Sequence, residues 1–241
     1  SHDVWILGNV TGTEKISLFR ASSKSFAEVS EYVEPNSRLS FIQSLFLDPE
    51  NNVWKASQGG MLEMINHENQ ALQSVFIRGF RAPLNIFIDS YGSIWFGSWD
   101  VLVKYDPKTK THDLIPDFPS ATVYSFFEDS DHNLWIGSAA GLVRYSLETG
   151  KLDVFKNDPD NSQSLSNNVV FHVMKDNAGT MWIGTGGGLN KMIRGTENGI
   201  PKFVHWRTTQ SGLPNDDVYC IVDGEDATLW LTCGNYVTHF F

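Results

Sequence analysis

One unit recurs along this chain, and its recurrence restricts the fold more than any other feature. Aligned on tryptophan, the copies read SLFLDPENNVWKASQGGMLEM (Trp54), IFIDSYGSIWFGSWDVLVKYD (Trp95), SFFEDSDHNLWIGSAAGLVRYS (Trp135) and FHVMKDNAGTMWIGTGGGLNKMI (Trp182). A more divergent copy, CIVDGEDATLWLTCGNYVTHF, holds Trp230, and DVWILG at Trp5 matches the middle of the unit. The tryptophans are 49, 41, 40, 47 and 48 residues apart. Self-similarity at such a period marks an array of supersecondary units.

The columns of this alignment agree in chemistry. Six residues before the tryptophan stand Asp48, Asp89, Asp129 and Asp176, with Gly224 breaking the column in the last copy. Three before it stand Asn51, Gly92, His132 and Gly179, with Ala227 as the exception. Gly, Asn and His tolerate positive φ, as a tight hairpin requires. The aspartate can accept hydrogen bonds from turn amides two residues on. Each copy therefore reads as strand, Asp-led turn, strand with tryptophan, glycine turn, strand. Most copies add a weaker fourth strand, such as Lys151 to Phe155.

Four short strands per copy predict an all-β fold, a β-propeller of four-stranded blades. The 8 Trp, 16 Phe and 20 Gly of the composition suit many short strands and tight turns. Consecutive apolar residues such as Leu45-Phe46-Leu47 predict sheets buried on both faces, as between neighbouring blades. With strands labelled A to D from the centre outward, tryptophan lies on B. The copies divide near residues 1–38, 39–79, 80–119, 120–165, 166–213 and 214–241, the first and last incomplete. The expectation is one propeller region of about five to six blades, a fragment of a longer, seven-bladed ring.

Composition removes several classes of function. A net charge of −10 opposes nucleic-acid binding, which needs a basic stripe. No apolar run reaches the length of a membrane span, and the start SHDVWILGNV lacks the pattern of a signal peptide. Two cysteines exclude a disulfide-rich scaffold and a four-cysteine zinc site. Asp129-Ser130-Asp131-His132-Asn133 opens like a calcium loop but has Leu134 and Ala140 where Gly and Glu belong, and reads as a hairpin turn. Asp158 to Ser162 reads as a long solvated loop. Gly184 to Gly188 joins two strands and lacks the Lys-Ser/Thr of a phosphate loop. No catalytic motif, metal or cofactor is expected.

The units resemble the two-component regulator propeller repeat. The matches are Val123, Asp129, Leu134-Trp135-Ile136-Gly137 and Gly141-Leu142 in one copy. In the next they are Val170, Asp176, Gly179, Trp182-Ile183-Gly184-Thr185 and Gly188-Leu189. The lead-ins Ser164-Leu165-Ser166-Asn167-Asn168 and Gly212-Leu213-Pro214-Asn215-Asp216 are similar to the same family. This resemblance implies a non-catalytic, ligand-sensing propeller, the periplasmic part of an inner-membrane signalling protein. Its output would be a histidine kinase or diguanylate cyclase domain elsewhere in the protein. It implies an oligosaccharide or other small-molecule ligand. The expected partners are further blades, the output domains and a second copy in a homodimer. Two rivals are a streptogramin-lyase-like propeller enzyme, which carries similar turns, and a scaffold for protein–protein interaction.

Candidate binding residues follow from position, since loops on a rigid scaffold are the usual home of binding groups. The D-to-A and B-to-C loops supply Arg38, Arg81, Trp99, Asp100, Asn168 and Asp217, and the adjoining ends of strand A supply Tyr124, His172 and Tyr219. The tryptophan column reads as packing between blades, whereas Trp99 and Trp206 fall outside it and are expected on a functional surface. If the last A–B turn centres on Asp226-Ala227, Cys220 and Cys233 face each other and a cross-strand disulfide is expected to be feasible.

Overall fold

A computed structural model of the chain describes residues 4–10, 13–20, 25–28, 42–48, 50, 52–57, 61–66, 72–76, 85–119, 121–193, 200–224 and 228–240. Strand follows strand, because each apolar run is only four to eight residues long and ends at a turn former. Two compact units divide the chain at residues 88 and 89.

In the first unit, β1 (Val4–Val10), β2 (Thr13–Arg20) and β3 (Ser25–Glu28) form an antiparallel meander. Strands β4 (Ile42–Leu47), β5 (Val53–Ser57), β6 (Met61–Ile65) and β7 (Leu72–Phe76) form the next, and β8 (Asn85–Ile88) follows.

The second unit begins with β9 (Ile94–Gly97), β10 (Leu102–Asp106) and β11 (Thr111–Leu114), paired in that order. A four-stranded meander follows: β12 (Val123–Glu128), β13 (Asn133–Ser138), β14 (Gly141–Ser146) and β15 (Leu152–Phe155). The next is β16 (Val170–Lys175), β17 (Met181–Thr185), β18 (Gly188–Ile193) and β19 (Lys202–Trp206). A single helical turn, α1 (Thr208–Ser211), leads to β20 (Val218–Asp223), β21 (Leu229–Cys233) and β22 (Tyr236–Phe240). The all-β architecture of blade-like antiparallel sheets is as expected from the repeat.

Core forms between successive sheets. Trp135 and Leu142 of one sheet pack with Val170, Val173, Met181 and Ile183 of the next. One sheet further on, Trp182 and Leu189 pack with Val218, Ile221, Leu229 and Leu231. The B strands are therefore buried on both faces, as in β9 and β17, where every residue is buried. Each large apolar side chain taken from water contributes about 1.5–3 kcal/mol.

The turn columns behave as read. Gly92, His132 and Gly179 take φ values of 84°, 53° and 86°. The aspartate does more than cap the turn. Asp129 accepts from the amides of Asp131 (2.9 Å) and Asn133 (3.0 Å), and its other oxygen accepts the Trp135 indole N–H at 2.8 Å. Beside three of these tryptophans, a strand C cation lies over the ring: Lys104 over Trp95, Arg144 over Trp135 and Lys191 over Trp182.

The glycine two residues after tryptophan lies inside the strand, not in the turn. A Cβ on Gly137 would stand 2.5 Å from Ser125 Oγ and 2.8 Å from the Val170 carbonyl oxygen; on Gly184 it would stand 2.5 Å from the Val218 carbonyl. Only glycine lets the inner strand of the following sheet approach so closely.

The expected facing of the two cysteines is corrected by the register. Cys220 pairs with Thr232, and Cys233 with Val218. A β-bulge between Val218 and Cys220 inserts Tyr219, and pairing nearer the turn runs Asp223 with Leu229. Cys233 consequently shares the buried face with Leu231 and Ile221, while Cys220 lies on the opposite face with Thr232. Both thiols are free.

Candidate functional site

The same bulge recurs near the start of strand A. It falls between Ile42 and Ser44, Val123 and Ser125, Val170 and His172, and Val218 and Cys220. In the second unit the inserted residues are Tyr124, Phe171 and Tyr219. An inserted residue leaves the ladder and re-aims its side chain. The Tyr124 and Phe171 ring centroids lie 5.4 Å apart, and those of Phe171 and Tyr219 lie 4.8 Å apart, both pairs tilted by 59°. Three inner strands thus carry one row of rings. Tyr219, at its end, is 45% exposed.

The B-to-C turns dock beside this row through backbone bonds. Ala139 N–H donates to the Thr122 carbonyl, Gly186 N–H to Val169 and Gly234 N–H to Asp217, at 2.9, 3.0 and 2.9 Å. Val123 N–H donates to the Ser98 carbonyl at 3.1 Å, which brings the turn holding Trp99 and Asp100 to the start of β12. Trp99 is 67% exposed, and Asp100 is also exposed. The turn holding Trp99 and Asp100 thus adjoins the strand of Tyr124, while Asp217 adjoins Tyr219 at the opposite end of the ring row.

His172 and Asn168 are committed elsewhere. The Ile221 amide donates to His172 Nδ1 at 3.3 Å, and burial lowers the imidazole's pKa, disfavouring its charged form. Asn168 is exposed, but its Oδ1 accepts the Asn157 amide at 2.8 Å. Arg38 and Arg81 lie outside the described residues. Trp206 is half-buried. It sits against Trp182 and Phe240 with centroids 5.6 and 5.5 Å away.

Sequence reasoning missed Phe171. Its signal was available, since it occupies the same column as Tyr124 and Tyr219, eleven residues before the tryptophan of its repeat. Arg207 was also missed. Its guanidinium spans the Gly187 carbonyl (Nε, 3.1 Å) and the Ser166 carbonyl (Nη2, 3.3 Å), binding the fifth sheet's B-to-C turn to the loop before β16.

Residues 117–140 and 164–187 match the family model described as "Two component regulator propeller". Those two segments carry the two-component regulator propeller repeat. Solved structures with such sheets include the extracellular domain of the hybrid two component system BT4673 from B. thetaiotaomicron. It is 18% identical with a TM-score of 0.67, and the match covers 98% of this chain and 32% of that one. The extracellular domain of BT3049 from the same organism is 21% identical with a TM-score of 0.58, covering 99% and 38%. Virginiamycin B lyase from Staphylococcus aureus is 16% identical with a TM-score of 0.70, covering 99% and 80%. At these identities the likeness is one of propeller fold. The chain spans about a third of the two-component extracellular domains it resembles. No curated protein sequence matches it. Among the described residues, no helix is long and apolar enough to cross a membrane.

Proposed function

We propose that these propeller repeats form a signal-sensing, ligand-binding module in the periplasmic part of a membrane-bound bacterial regulator, with no catalysis of their own. The observation that carries this reading is the ring row Tyr124–Phe171–Tyr219, open at Tyr219, with the Trp99 turn docked at the start of the Tyr124 strand and Asp217 two residues before Tyr219. Aromatic faces take the C–H surface of a sugar while carboxylates and backbone groups take its hydroxyls, so an oligosaccharide is the ligand class that fits. Binding transmits a signal only if it favours one arrangement of the protein over another. The interface so biased would lie between propellers or between two copies of the chain.

Titration with a panel of plant and host-type oligosaccharides, followed by calorimetry, tests this. Tyr219→Ala and Phe171→Ala should each weaken binding by about tenfold. Unchanged affinity in both variants would remove this face from consideration. The likeness to virginiamycin B lyase favours a second reading, an enzyme. Incubation with virginiamycin B, with product followed by mass spectrometry, separates the two: turnover would replace the sensing proposal.

A further inference from the structure

The stretch Asp158 to Ser162, read from sequence as a solvated loop, is one wall of a cleft of about 740 Å³. This is within the roughly 300–1,000 Å³ of small-molecule sites. The opposite wall is the outer strand β19 with Arg207 and Gln210. The cleft contains none of the candidate residues assigned above to the ring row and its turns.

The loop wall is built rather than merely present. Asn161 N–H donates to the Asp158 carbonyl (3.0 Å), Ser164 N–H to the Asn161 carbonyl (2.9 Å) and Gln163 N–H to Asn161 Oδ1 (3.0 Å). The Asp158 amide donates to Ser164 Oγ at 2.9 Å. Two bonds fasten the loop to β19: Phe203 N–H donates to the Gln163 carbonyl at 2.9 Å, and the His205 ring bonds the Ser164 carbonyl through Nε2. Because that carbonyl can only accept, Nε2 carries the hydrogen. A wall already ordered costs little to order again when a ligand arrives.

The lining selects the chemistry. The loop already occupies the strand edge at Phe203, which disfavours a peptide adding as a further strand. What projects into the cleft are exposed side chains that both donate and accept: Asn161, Ser162, Gln163 and Gln210. Val204, 42% exposed, offers a small apolar patch. The two charged groups of the lining are already bonded: Arg207 donates to the Gly187 and Ser166 carbonyls, and Asp158 Oδ1 accepts the Asp160 amide, so the uncharged side chains are the ones left to take a ligand. We propose that this cleft is a second binding site, for a neutral polyhydroxylated ligand of mono- or disaccharide size.

Saturation-transfer NMR on the whole chain with glucose, maltose, cellobiose and tetra-alanine as probes tests the site. At least one saccharide should saturate, and Gln163→Ala/Gln210→Ala should weaken it by about tenfold, two hydrogen bonds' worth. Ser162→Trp, which fills the cleft from an exposed position, should abolish it, while Tyr219→Ala should leave it unchanged. Equal thermal midpoints for parent and variants establish that folding is intact. The proposal is overturned if no saccharide saturates, if both cleft variants bind like the parent, or if only tetra-alanine binds. Loss confined to Tyr219→Ala would also overturn it, while supporting the ring row as the sugar site.

Discussion

The indole N–H of Trp135 donates to the carboxylate of Asp129, six residues earlier, at 2.8 Å in a buried setting. The same bond joins Trp54 to Asp48 (2.8 Å), Trp95 to Asp89 (2.8 Å) and Trp182 to Asp176 (2.7 Å). It explains why the two columns occur together: the aspartate shapes the hairpin with one oxygen and satisfies the buried indole with the other. Where Gly224 replaces the aspartate, Trp230 is 48% exposed and stacks on His239 with centroids 4.5 Å apart.

Asp129→Ala should destabilise the protein by about 3 kcal/mol, since it strands the Trp135 N–H and opens the turn. Burial pushes the Asp129 carboxyl up, but the bonds from Trp135, Asn133 and Asp131 outweigh it and hold the group below its ordinary value. A depressed folded value means stability that is fully present above the unfolded carboxyl value of about 4 and is lost as pH falls through the lower folded value. Urea unfolding from pH 7 to pH 2 should show that acid-sensitive component in the parent and not in Asp129→Ala; parallel pH curves would refute the assignment.

Gly137→Ala and Gly184→Ala should each cost about 1–3 kcal/mol by overpacking, as the new methyl meets the carbonyl of Val170 or Val218 in the adjoining inner strand. Gly92→Ala is strained for a different reason, its φ of 84°, with open space around it. Chemical denaturation of the three variants checks this. A neutral Gly137→Ala would mean the sheets approach less closely.

The two cysteines should behave as unlinked thiols. Burial pushes the Cys233 thiol up to about 11, which keeps it protonated and slow, whereas Cys220 is partly exposed. Native-state alkylation at pH 8 should label Cys220 first, and reductant should leave the thermal midpoint unchanged. A two-mass-unit deficit in the intact, unreduced protein would show a disulfide instead.

Between neighbouring sheets of the second unit, the Glu128 carboxylate takes the Ser90 amide at 2.7 Å and its hydroxyl at 2.5 Å. Asp223 takes the Asn177 amide at 2.8 Å in the same way. Glu128→Ala should lower stability by about 1 kcal/mol and speed hydrogen exchange at Ser90. Unaltered exchange there would show the contact to be dispensable.

Repetition made much of this molecule legible from its residues. A tryptophan column, an aspartate six before it and a positive-φ residue three before it define a hairpin by local chemistry, and local chemistry repeats with the sequence. Phe171 shares a column with Tyr124 and Tyr219, but an apolar residue in a strand does not by itself distinguish a surface ring row from core packing.

The amino-acid sequence by itself determined the all-β sheets, the Asp-led turns and the family of the repeat, because each depends on residues a few positions apart. Only the tertiary structure decided that Cys220 and Cys233 lie on opposite faces, that the rings of Tyr124, Phe171 and Tyr219 meet, and that residues 158–164 wall a cleft. A one-residue bulge reverses the facing of a side chain without leaving a mark in the hydrophobic pattern, and contacts between sheets join residues some forty to fifty positions apart.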